Sequence, residues 1–404
     1  MTATTAVRGP SWAKKNLFGS IWSSVVTVVL GVAVAYVVFL LIRFLVDADF
    51  TILRRNLALF MVGSFPQAQL WRVAVAVLIL ALGGGITAGL INSSARRRAM
   101  QAGLPMPALP GARSLGNGLR RYWPLILLVV VCLLLTGTIT PTLVVLGAVA
   151  TLGVASWSFA RIPFLRWYWV LVAALPLVAY FVLSASGLGW DDWGGFMLNL
   201  FLTIAGITFA FPIGLALALG RRSSLPIVRG FSVGYIELFR GVPLITLLLL
   251  GVFALGFFLP LELRPSSVTR ILVAITIFEA AYIAEVIRGG LQSVPPGQVE
   301  AAASLGLSTW KTTRLIVLPQ ALRATIPAMV GQFISLFKDT TLVAAVGLSD
   351  MLNTASVATS QPDFNARGLS RITLPFVALA FWAGSYTMSR EARRLERRLG
   401  IGER

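Results

Sequence analysis

Two groups of polar residues interrupt apolar stretches in the second half of the chain. Glu279 and Tyr282 lie in one apolar run at a helical spacing, with Glu285 one turn further. The second group follows another apolar run and consists of Lys338, Asp339, Thr340 and Thr341. Ionisable side chains inside a membrane are costly, so they typically mark a polar pathway. A lysine, an aspartate and two hydroxyls could together bind the carboxylate and the ammonium of a zwitterion. Structural interpretations stay open for both groups: an ion pair or interfacial position for the first, and a polar helix cap for the second.

Composition excludes several kinds of chemistry. The 404 residues contain no histidine and a single cysteine, Cys132, which lies in an apolar run. The usual general base and the commonest metal ligand are therefore missing, and neither an internal disulfide nor a cysteine zinc cluster can form. The phosphate-binding pattern G-x-x-x-x-G-K-[ST] does not occur in the sequence, so the chain has no nucleotide site of the P-loop kind.

A polar loop at about 289–320 separates two apolar segments. The double proline at 295–296 ends the preceding helix. An Ala-rich segment, Gly297 to Leu305, predicts a short helix closed by the following glycine. Ser308 is the expected N-cap of a second short helix that ends before Pro319. A corner of this kind leaves backbone groups unpaired, so we expect the loop to project into water rather than lie in lipid.

The spacing within this loop resembles the EAA-loop signature of ABC importer permeases. The matching residues are Glu300, Ala301, Ala302, Gly306, Ile316, Leu318 and Pro319. The wider sequence AYIAEVIRGGLQSVPPGQVEAAASLGLS, together with LFKDTTLVAAVG, is similar to the polar amino acid permease family over about Leu198 to Arg390. With its long amino-terminal extension, the chain resembles the longer permease subunit of general L-amino acid importers. An ordinary Ala-rich helix and turn would explain the EAA triplet alone, but not the full spacing.

The resemblance implies a role for each part of the loop. The short helix that contains Glu300 would lie in a cleft of an ATPase, with Ala301 and Ala302 allowing close approach and Gly306 allowing the sharp turn. The residues that would anchor the loop to the permease core are Ile316, Leu318 and Pro319. Arg240, in a family-like Arg-Gly-Val-Pro segment, would brace the cytoplasmic interface, unless it is an ordinary positive-inside arginine.

The resemblance also implies partners. They are a homologous second permease subunit, an ABC ATPase dimer that binds ATP-Mg, and a periplasmic amino acid-binding protein. The chain itself would hold no cofactor and no metal, and it would bind no nucleic acid.

The composition is that of a membrane protein, with 57% hydrophobic and only 12% charged residues. Apolar runs of ~20 residues are long enough to span a bilayer as helices. We predict an all-α polytopic membrane protein with about ten transmembrane helices, or eight if the pair in Tyr122–Ala160 is re-entrant. The predicted spans are Ile21–Val46, Trp71–Ile91, two within Tyr122–Ala160, Trp167–Ser186, Phe196–Leu219, Leu244–Leu259, Val268–Ile287, Ala324–Phe337 and Ile372–Met388.

Charge predicts the topology. The net charge of +19 would suggest nucleic acid in a soluble protein, but here the arginines follow apolar runs in the positive-inside pattern. The segment Arg96-Arg97-Arg98 begins the strongest cytoplasmic signal, in a loop that we expect to be irregular because it also holds Pro105, Pro107 and Pro110. The charge pattern predicts that both termini lie in the cytoplasm, and the resemblance implies a bacterial inner-membrane protein.

Two domains are predicted. Residues 1–186 form an amino-terminal extension with about five transmembrane helices, and residues 187–404 form an ABC importer permease core of five. The resemblance implies a permease subunit that moves L-amino acids, driven by a separate ATPase through the EAA loop. A membrane scaffold or channel not coupled to ATP is the alternative, and it would make the loop dispensable. A membrane enzyme would have to work with carboxylates alone, most of which lie in loops.

Overall fold

The computed structural model describes residues 16–103, 120, 122–136, 140–161, 168–184, 189–258, 260, 264–364 and 369–399. Within these residues the chain consists of helices and connecting loops, and an isolated parallel bridge joins Gly195 to Asp350. The all-α prediction is therefore confirmed. The predicted irregular loop with Pro105, Pro107 and Pro110 lies outside the described residues, as do residues 137–139 between the two spans predicted within Tyr122–Ala160.

The helices are α1 (Ile21–Asp47), α2 (Thr51–Val62), α3 (Leu70–Gln101), α4 (Trp123–Thr136), α5 (Thr140–Phe159), α6 (Tyr168–Ser184), α7 (Gly195–Gly220), α8 (Pro226–Gly241), α9 (Leu244–Leu249), α10 (Leu255–Phe258), α11 (Ser267–Ser293), α12 (Pro296–Ser304), α13 (Thr309–Thr312), α14 (Leu318–Asp339), α15 (Met351–Thr359) and α16 (Ser370–Leu399). Short 3₁₀ segments cover Gln67–Gln69, Trp190–Asp192 and Thr340–Val346, and π-helical turns cover Leu250–Ala254 and Thr313–Val317.

The helix α1 belongs to the first of two compact units, Met1–Phe50. Ser20 caps its start: the Ser20 hydroxyl accepts from the Ser23 N–H at 3.1 Å, and the Ser23 hydroxyl accepts from the Ser20 N–H at 2.9 Å. Its 27 residues would extend about 40 Å at ~1.5 Å per residue, more than the ~30 Å hydrocarbon core of a bilayer. By length and composition, α1 can therefore span a membrane.

Within the second unit, Thr51–Arg404, helices α3, α5 and α6 pack together. Glycines allow α3 and α5 to approach closely. A Cβ added at Gly85 would lie 2.6 Å from the Leu152 carbonyl oxygen, and one at Gly89 would lie 2.7 Å from the Phe159 Cβ. In lipid, apolar burial gives no hydrophobic gain between helices, so close packing of this kind supplies the stabilisation.

The helices α7, α11, α14 and α16 form the other packed part of this unit, and α11 contacts α7, α8 and α14. The crossing of α7 and α11 is again close: a Cβ at Gly206 would meet the Ile275 side chain at 2.8 Å, and one at Gly214 would meet the Ala280 carbonyl oxygen at 2.8 Å. Leu336 on α14 is completely buried in the hydrophobic cluster that includes Ile275. This arrangement makes α11 the central helix, and α11 leads directly into the EAA loop.

The short helix α2 packs on the core helices α7, α15 and α16. Gln361 donates a side-chain hydrogen bond of 2.9 Å to Asn56 on α2. At the end of α2 the chain turns at Gly63, whose φ is +64°, and a Cβ at this position would lie 2.4 Å from the Gly194 Cα. This part of the extension therefore packs directly against the core.

Five segments of the described chain are long and apolar enough to span a membrane: Ile21–Phe44, Gln67–Gln101, Gly195–Gly220, Thr309–Val346 and Ser370–Glu396. The helices α8 and α9, bent by 101°, would add a sixth span if they form one broken span. Shorter apolar helices lie at Trp123–Leu134, Leu143–Phe159 and Ala174–Ser184. A polytopic helical protein is confirmed, whereas the number of ten spans stays a prediction.

Three details differ from the sequence predictions. The helix α2 lies between the first two predicted spans, where no element was predicted. The helix α3 continues about ten residues beyond the predicted Ile91, because a helix need not end where the membrane does. The second helix of the EAA loop does not end before Pro319. A π-helical turn at Thr313–Val317 precedes this proline, and α14 continues past it. Because proline is tolerated in the first turn of a helix, its missing N–H does not break α14.

Candidate functional site

The EAA loop begins where α11 ends at Ser293. Val294 and Pro295 have extended backbones with ψ of 125° and 136°, as expected before prolines. Pro296 then occupies the start of α12, where a missing N–H leaves no intrahelical hydrogen bond unmade. The double proline therefore separates the long helix α11 from the short helix α12 within two residues, as predicted.

Gly306 forms the corner of the loop with a left-handed φ of +73°. The Gly306 N–H donates to the Ala303 carbonyl at 2.9 Å, and the Leu307 N–H donates to the Ala302 carbonyl at 3.1 Å. These bonds satisfy carbonyls at the end of α12 and close the turn. An added Cβ would meet nothing within 4 Å, so the requirement for glycine comes from the backbone conformation and not from crowding.

The chain returns from the corner to the core through a capped helix. The Ser308 hydroxyl accepts from the Lys311 N–H at 3.5 Å, so the predicted N-cap is confirmed. Val317, the last residue of the π-helical turn, is buried, and Leu318 after it packs against a cluster formed mainly by α7 and α11. This return arm, Ser308 to Val317, is therefore continuous with α14 and packed against the core.

The predicted coupling residues differ in exposure. Ala302 is buried, Ile316 and Leu318 are half-buried, and Glu300, Ala301, Gly306 and Pro319 are exposed. Four large apolar side chains that the motif did not single out are also exposed on the loop: Leu305 (80%), Trp310 (66%), Leu315 (63%) and Val299 (45%). Apolar side chains on a loop expected in water could have been noticed in the sequence. Together with the EAA helix they form a surface typical of protein docking.

Glu285 lies on α11 between the core and the EAA loop, and three arginines surround it. Arg288 donates from Nε to the Glu285 carboxylate at 2.8 Å. Guanidinium nitrogens of Arg240 and Arg221 lie 3.7 and 3.8 Å from the same carboxylate. Arg221 also pairs with Glu237 at 3.1 Å. The structure therefore brings Arg240, the predicted brace, into a charge cluster that joins the ends of α7 and α8 to α11.

Glu279 is completely buried between α11 and α14. Gln332 on α14 donates from one amide nitrogen to both carboxylate oxygens, at 3.3 and 3.2 Å. None of the ion pairs among the described residues involves Glu279. Tyr282 is half-buried and its ring packs on Phe278 at 4.7 Å, with the Arg240 guanidinium 5.8 Å from its centre. An ionised carboxylate has about four acceptor positions, so Glu279 retains acceptor capacity.

The four residues from Lys338 to Thr341 do not form one cluster. Lys338 is exposed, Asp339 and Thr341 are half-buried, and Thr340 is completely buried. The Thr340 hydroxyl accepts from the Asn199 amide at 3.1 Å and donates to the Phe337 carbonyl at 2.8 Å. Thr340 is therefore part of a buried polar network.

Asn199 is the centre of this network, which we did not predict. Its amide nitrogen also donates to Asp350 at 3.2 Å, and its oxygen accepts from the Met351 N–H at 3.1 Å. Asp350 caps α15 by accepting from the N–H groups of Leu352 and Asn353. Burial raises the pKa of Asp350, and the hydrogen bonds from Asn353, Asn199 and Leu352 oppose that shift. Among the residues that the structure describes, no group of three or more His, Cys, Asp or Glu side chains could hold a metal ion.

Comparison with known proteins identifies a family that matches the second half of the chain. The profile of the family described as binding-protein-dependent transport system inner membrane component matches residues 210–401. The glutamate/glutamine/aspartate/asparagine transport system permease protein BztC of Rhodobacter capsulatus is 46% identical over 60% of this chain and 54% of its own length. The probable glutamine ABC transporter permease protein GlnP of Bacillus subtilis is 36% identical over 50% of this chain and 91% of its own length.

A solved structure described as an amino acid ABC transporter with histidines is 32% identical, with a TM-score of 0.46, over 55% of this chain and 97% of that chain. The chain spans a little over half the length of the longer curated relatives that it matches.

Proposed function

The chain belongs to the family of binding-protein-dependent transport system inner membrane components, and we propose that it is a permease subunit of an ATP-driven ABC importer. Amino acids are its proposed cargo, because the relatives above are described as permeases for glutamate, glutamine, aspartate and asparagine. ATP-Mg would bind to a separate ATPase dimer. A homologous second permease and a periplasmic amino acid-binding protein would complete the assembly.

The observation that carries this proposal is the EAA loop. Its signature residues lie on a short helix, at a glycine corner and where the chain returns to α14, and the exposed Leu305, Trp310 and Leu315 add apolar surface beside them. A loop at the end of a membrane helix would not expose this much apolar surface to water without a partner. We therefore propose that α12 docks into a cleft of the ATPase, with Glu300 as its polar contact.

The connections of the loop suggest how motion would pass through it. Only Val294 and Pro295 separate α12 from α11, and the return arm continues into α14. Within the loop, Gln320 donates to Gln298 at 3.5 Å, which links the two arms. Closure of the ATPase would thus move α11 and α14 together, as a rigid-body shift of packed helices.

The proposed cargo path includes the buried face between these two helices. Glu279 accepts from Gln332 alone among the described hydrogen bonds, so an ammonium group would complete its partners. Tyr282 lies one turn away on α11, and the exposed Lys338 and half-buried Asp339 lie at the end of α14. Of the predicted path residues, Thr340 and Thr341 are the least available, because Thr340 bonds Asn199 and Thr341 donates to the Lys338 carbonyl at 2.8 Å.

We also propose an orientation in the inner membrane. The cationic segments place the EAA loop and both termini in the cytoplasm, following the positive-inside rule. From Thr51 on, the extension would belong to the permease and not to a separate module, because α2 packs on α7, α15 and α16.

The test is ATP-driven uptake by the reconstituted transporter, comparing Gly306→Asp with Gly103→Asp. Both glycines have left-handed backbones, φ of +73° and +64°, and neither has an atom within 4 Å of an added Cβ. The substitutions therefore cause similar local strain, but only the first lies in the EAA loop. We expect Gly306→Asp to abolish uptake while the protein stays folded, and Gly103→Asp to transport normally. Normal uptake by Gly306→Asp would refute the proposal.

A second variant, measured in the same uptake assay, tests the proposed cargo path. Glu279→Gln keeps the shape of the side chain but removes its charge, so we expect weaker uptake of amino acids with assembly unchanged. Unchanged uptake would remove Glu279 from the path without affecting the proposal for the EAA loop.

A further inference from the structure

The charge cluster around Glu285 lies at the base of the EAA loop. Glu285 is on α11, eleven residues before the start of α12 at Pro296. Arg288 lies one turn further along the same helix, Arg221 directly follows α7, and Arg240 is in the last turn of α8. One carboxylate therefore contacts side chains from three helices at the point where the loop joins the core.

The three contacts differ in kind. Arg288 holds the carboxylate at hydrogen-bonding distance from within α11, at 2.8 Å. The contacts between helices are looser, at 3.7 Å to Arg240 and 3.8 Å to Arg221. Both exceed the range of a good hydrogen bond, so a small shift of α11 against α7 or α8 would shorten or break them. The side chains are about one-quarter to one-third exposed, so they can rearrange without opening the core.

The charges also do not balance. Three arginines face Glu285 and Glu237, which leaves one positive charge in excess. Arg221 already has Glu237 as a closer partner at 3.1 Å. Glu285 is therefore shared between competing cations, and its partner can change when the helices move.

Arg240 adds a mechanical connection. It lies two residues before the break at Val242–Pro243, where the chain bends by 101° between α8 and α9. A force that reaches Arg240 through Glu285 would act on this bend. Other contacts hold the middle of α8 on α11 itself: Tyr235 donates to the carbonyl of Ile277 on α11 at 2.9 Å, and Ile236 is completely buried in a cluster formed mainly by α7 and α11.

Resting on the proposed function, we propose that Glu285 is the positioning residue that transmits movement of the EAA loop to the bend between α8 and α9. Its ion pair with Arg240 sets the position of the last turn of α8 relative to α11, and its ion pair with Arg221 connects the end of α7 to the same carboxylate. Without the carboxylate, Tyr235 and Ile236 still hold the middle of α8 on α11, but the last turn of α8, at Arg240, no longer follows α11.

The experiment uses two spin labels on the full chain in a Cys132→Ala background. One label replaces Gly241 at the end of α8 and the other replaces Gly289 on α11, because an added side chain meets nothing within 4 Å at either position. Distances are measured by electron resonance on the chain alone and on the assembled transporter with and without ATP. Glu237→Gln is the matched control, because it removes another carboxylate from Arg221 without touching Glu285.

We expect Glu285→Gln to broaden the distance distribution in the chain alone and to abolish the shift caused by ATP, whereas Glu237→Gln changes neither. Uptake per ATP hydrolysed should fall by at least about fivefold in Glu285→Gln, within the usual range of coupling between sites. Glu285→Asp should partly restore both readouts.

A distribution in Glu285→Gln as narrow as in the parent chain would overturn the inference. The distance distribution measured on the chain alone does not depend on transport. It therefore still tests the role of Glu285 when the parent transporter shows no ATP-driven uptake. In that case the proposed function fails separately.

Discussion

Replacing Gly63 with alanine should weaken the contact between α2 and the core. Gly63 has a φ of +64°, and an added Cβ would lie 2.4 Å from the Gly194 Cα and 2.9 Å from the Gly195 nitrogen. The left-handed conformation costs an alanine roughly 1–2 kcal/mol. The overlap is with backbone atoms, which cannot rotate away, and overpacking of this kind adds roughly 1–3 kcal/mol. We therefore expect a loss of about 2–5 kcal/mol in the free energy of unfolding.

Gly103 supplies a matched control, since its φ is also +64° but nothing lies within 4 Å of an added Cβ. Gly103→Ala should cost only the conformational part, about 1–2 kcal/mol. Thermal unfolding of both variants in the same detergent, followed by tryptophan fluorescence, measures the difference. Equal unfolding midpoints for the two variants would refute the argument that α2 closely contacts the core at Gly63.

Three further predictions concern the polar network, an exposed ion pair and the docking surface. Asn199→Leu should cost about 3 kcal/mol or more, because it leaves Asp350 and the Met351 N–H without their buried amide partner; thermal unfolding would show it. Arg55→Ala should change stability by less than ~1 kcal/mol in the same assay, because its pair with Asp363 is 61% and 73% exposed. Leu305→Ser should leave the unfolding midpoint unchanged but reduce the ATPase that co-purifies with the chain, since Leu305 is 80% exposed.

Local sequence signals predicted the EAA loop well. The double proline, Gly306 and the N-cap Ser308 each act within a few residues, through backbone geometry that does not depend on the rest of the fold. The end of the return arm was not predictable in this way. A proline lacks the N–H that would bond to the preceding helical turn, so a helix usually ends before it. Here a π-helical turn comes directly before α14, and α14 continues past Pro319.

Long-range contacts were beyond the sequence argument. Asn199 and Asp350 are separated by 151 positions, and neither lies in a motif that would pair them. Glu285 was visible as a polar residue on a membrane helix, but its partners Arg221 and Arg240 become neighbours only when α7, α8 and α11 pack together. Spacing along one helix identifies the polar residue, and only packing between helices identifies its partner.

The central proposal is that the EAA loop contacts a separate ATPase. A cysteine at the exposed Ala303, in the Cys132→Ala background, can be crosslinked in intact membranes, with a cysteine at Gly103 as the control. Our account predicts a crosslink between Ala303→Cys and an ABC ATPase subunit, lost or reduced when Gly306→Asp is added, and a weaker one or none from Gly103→Cys. No crosslink from Ala303→Cys, or equal crosslinks from both positions, would contradict it.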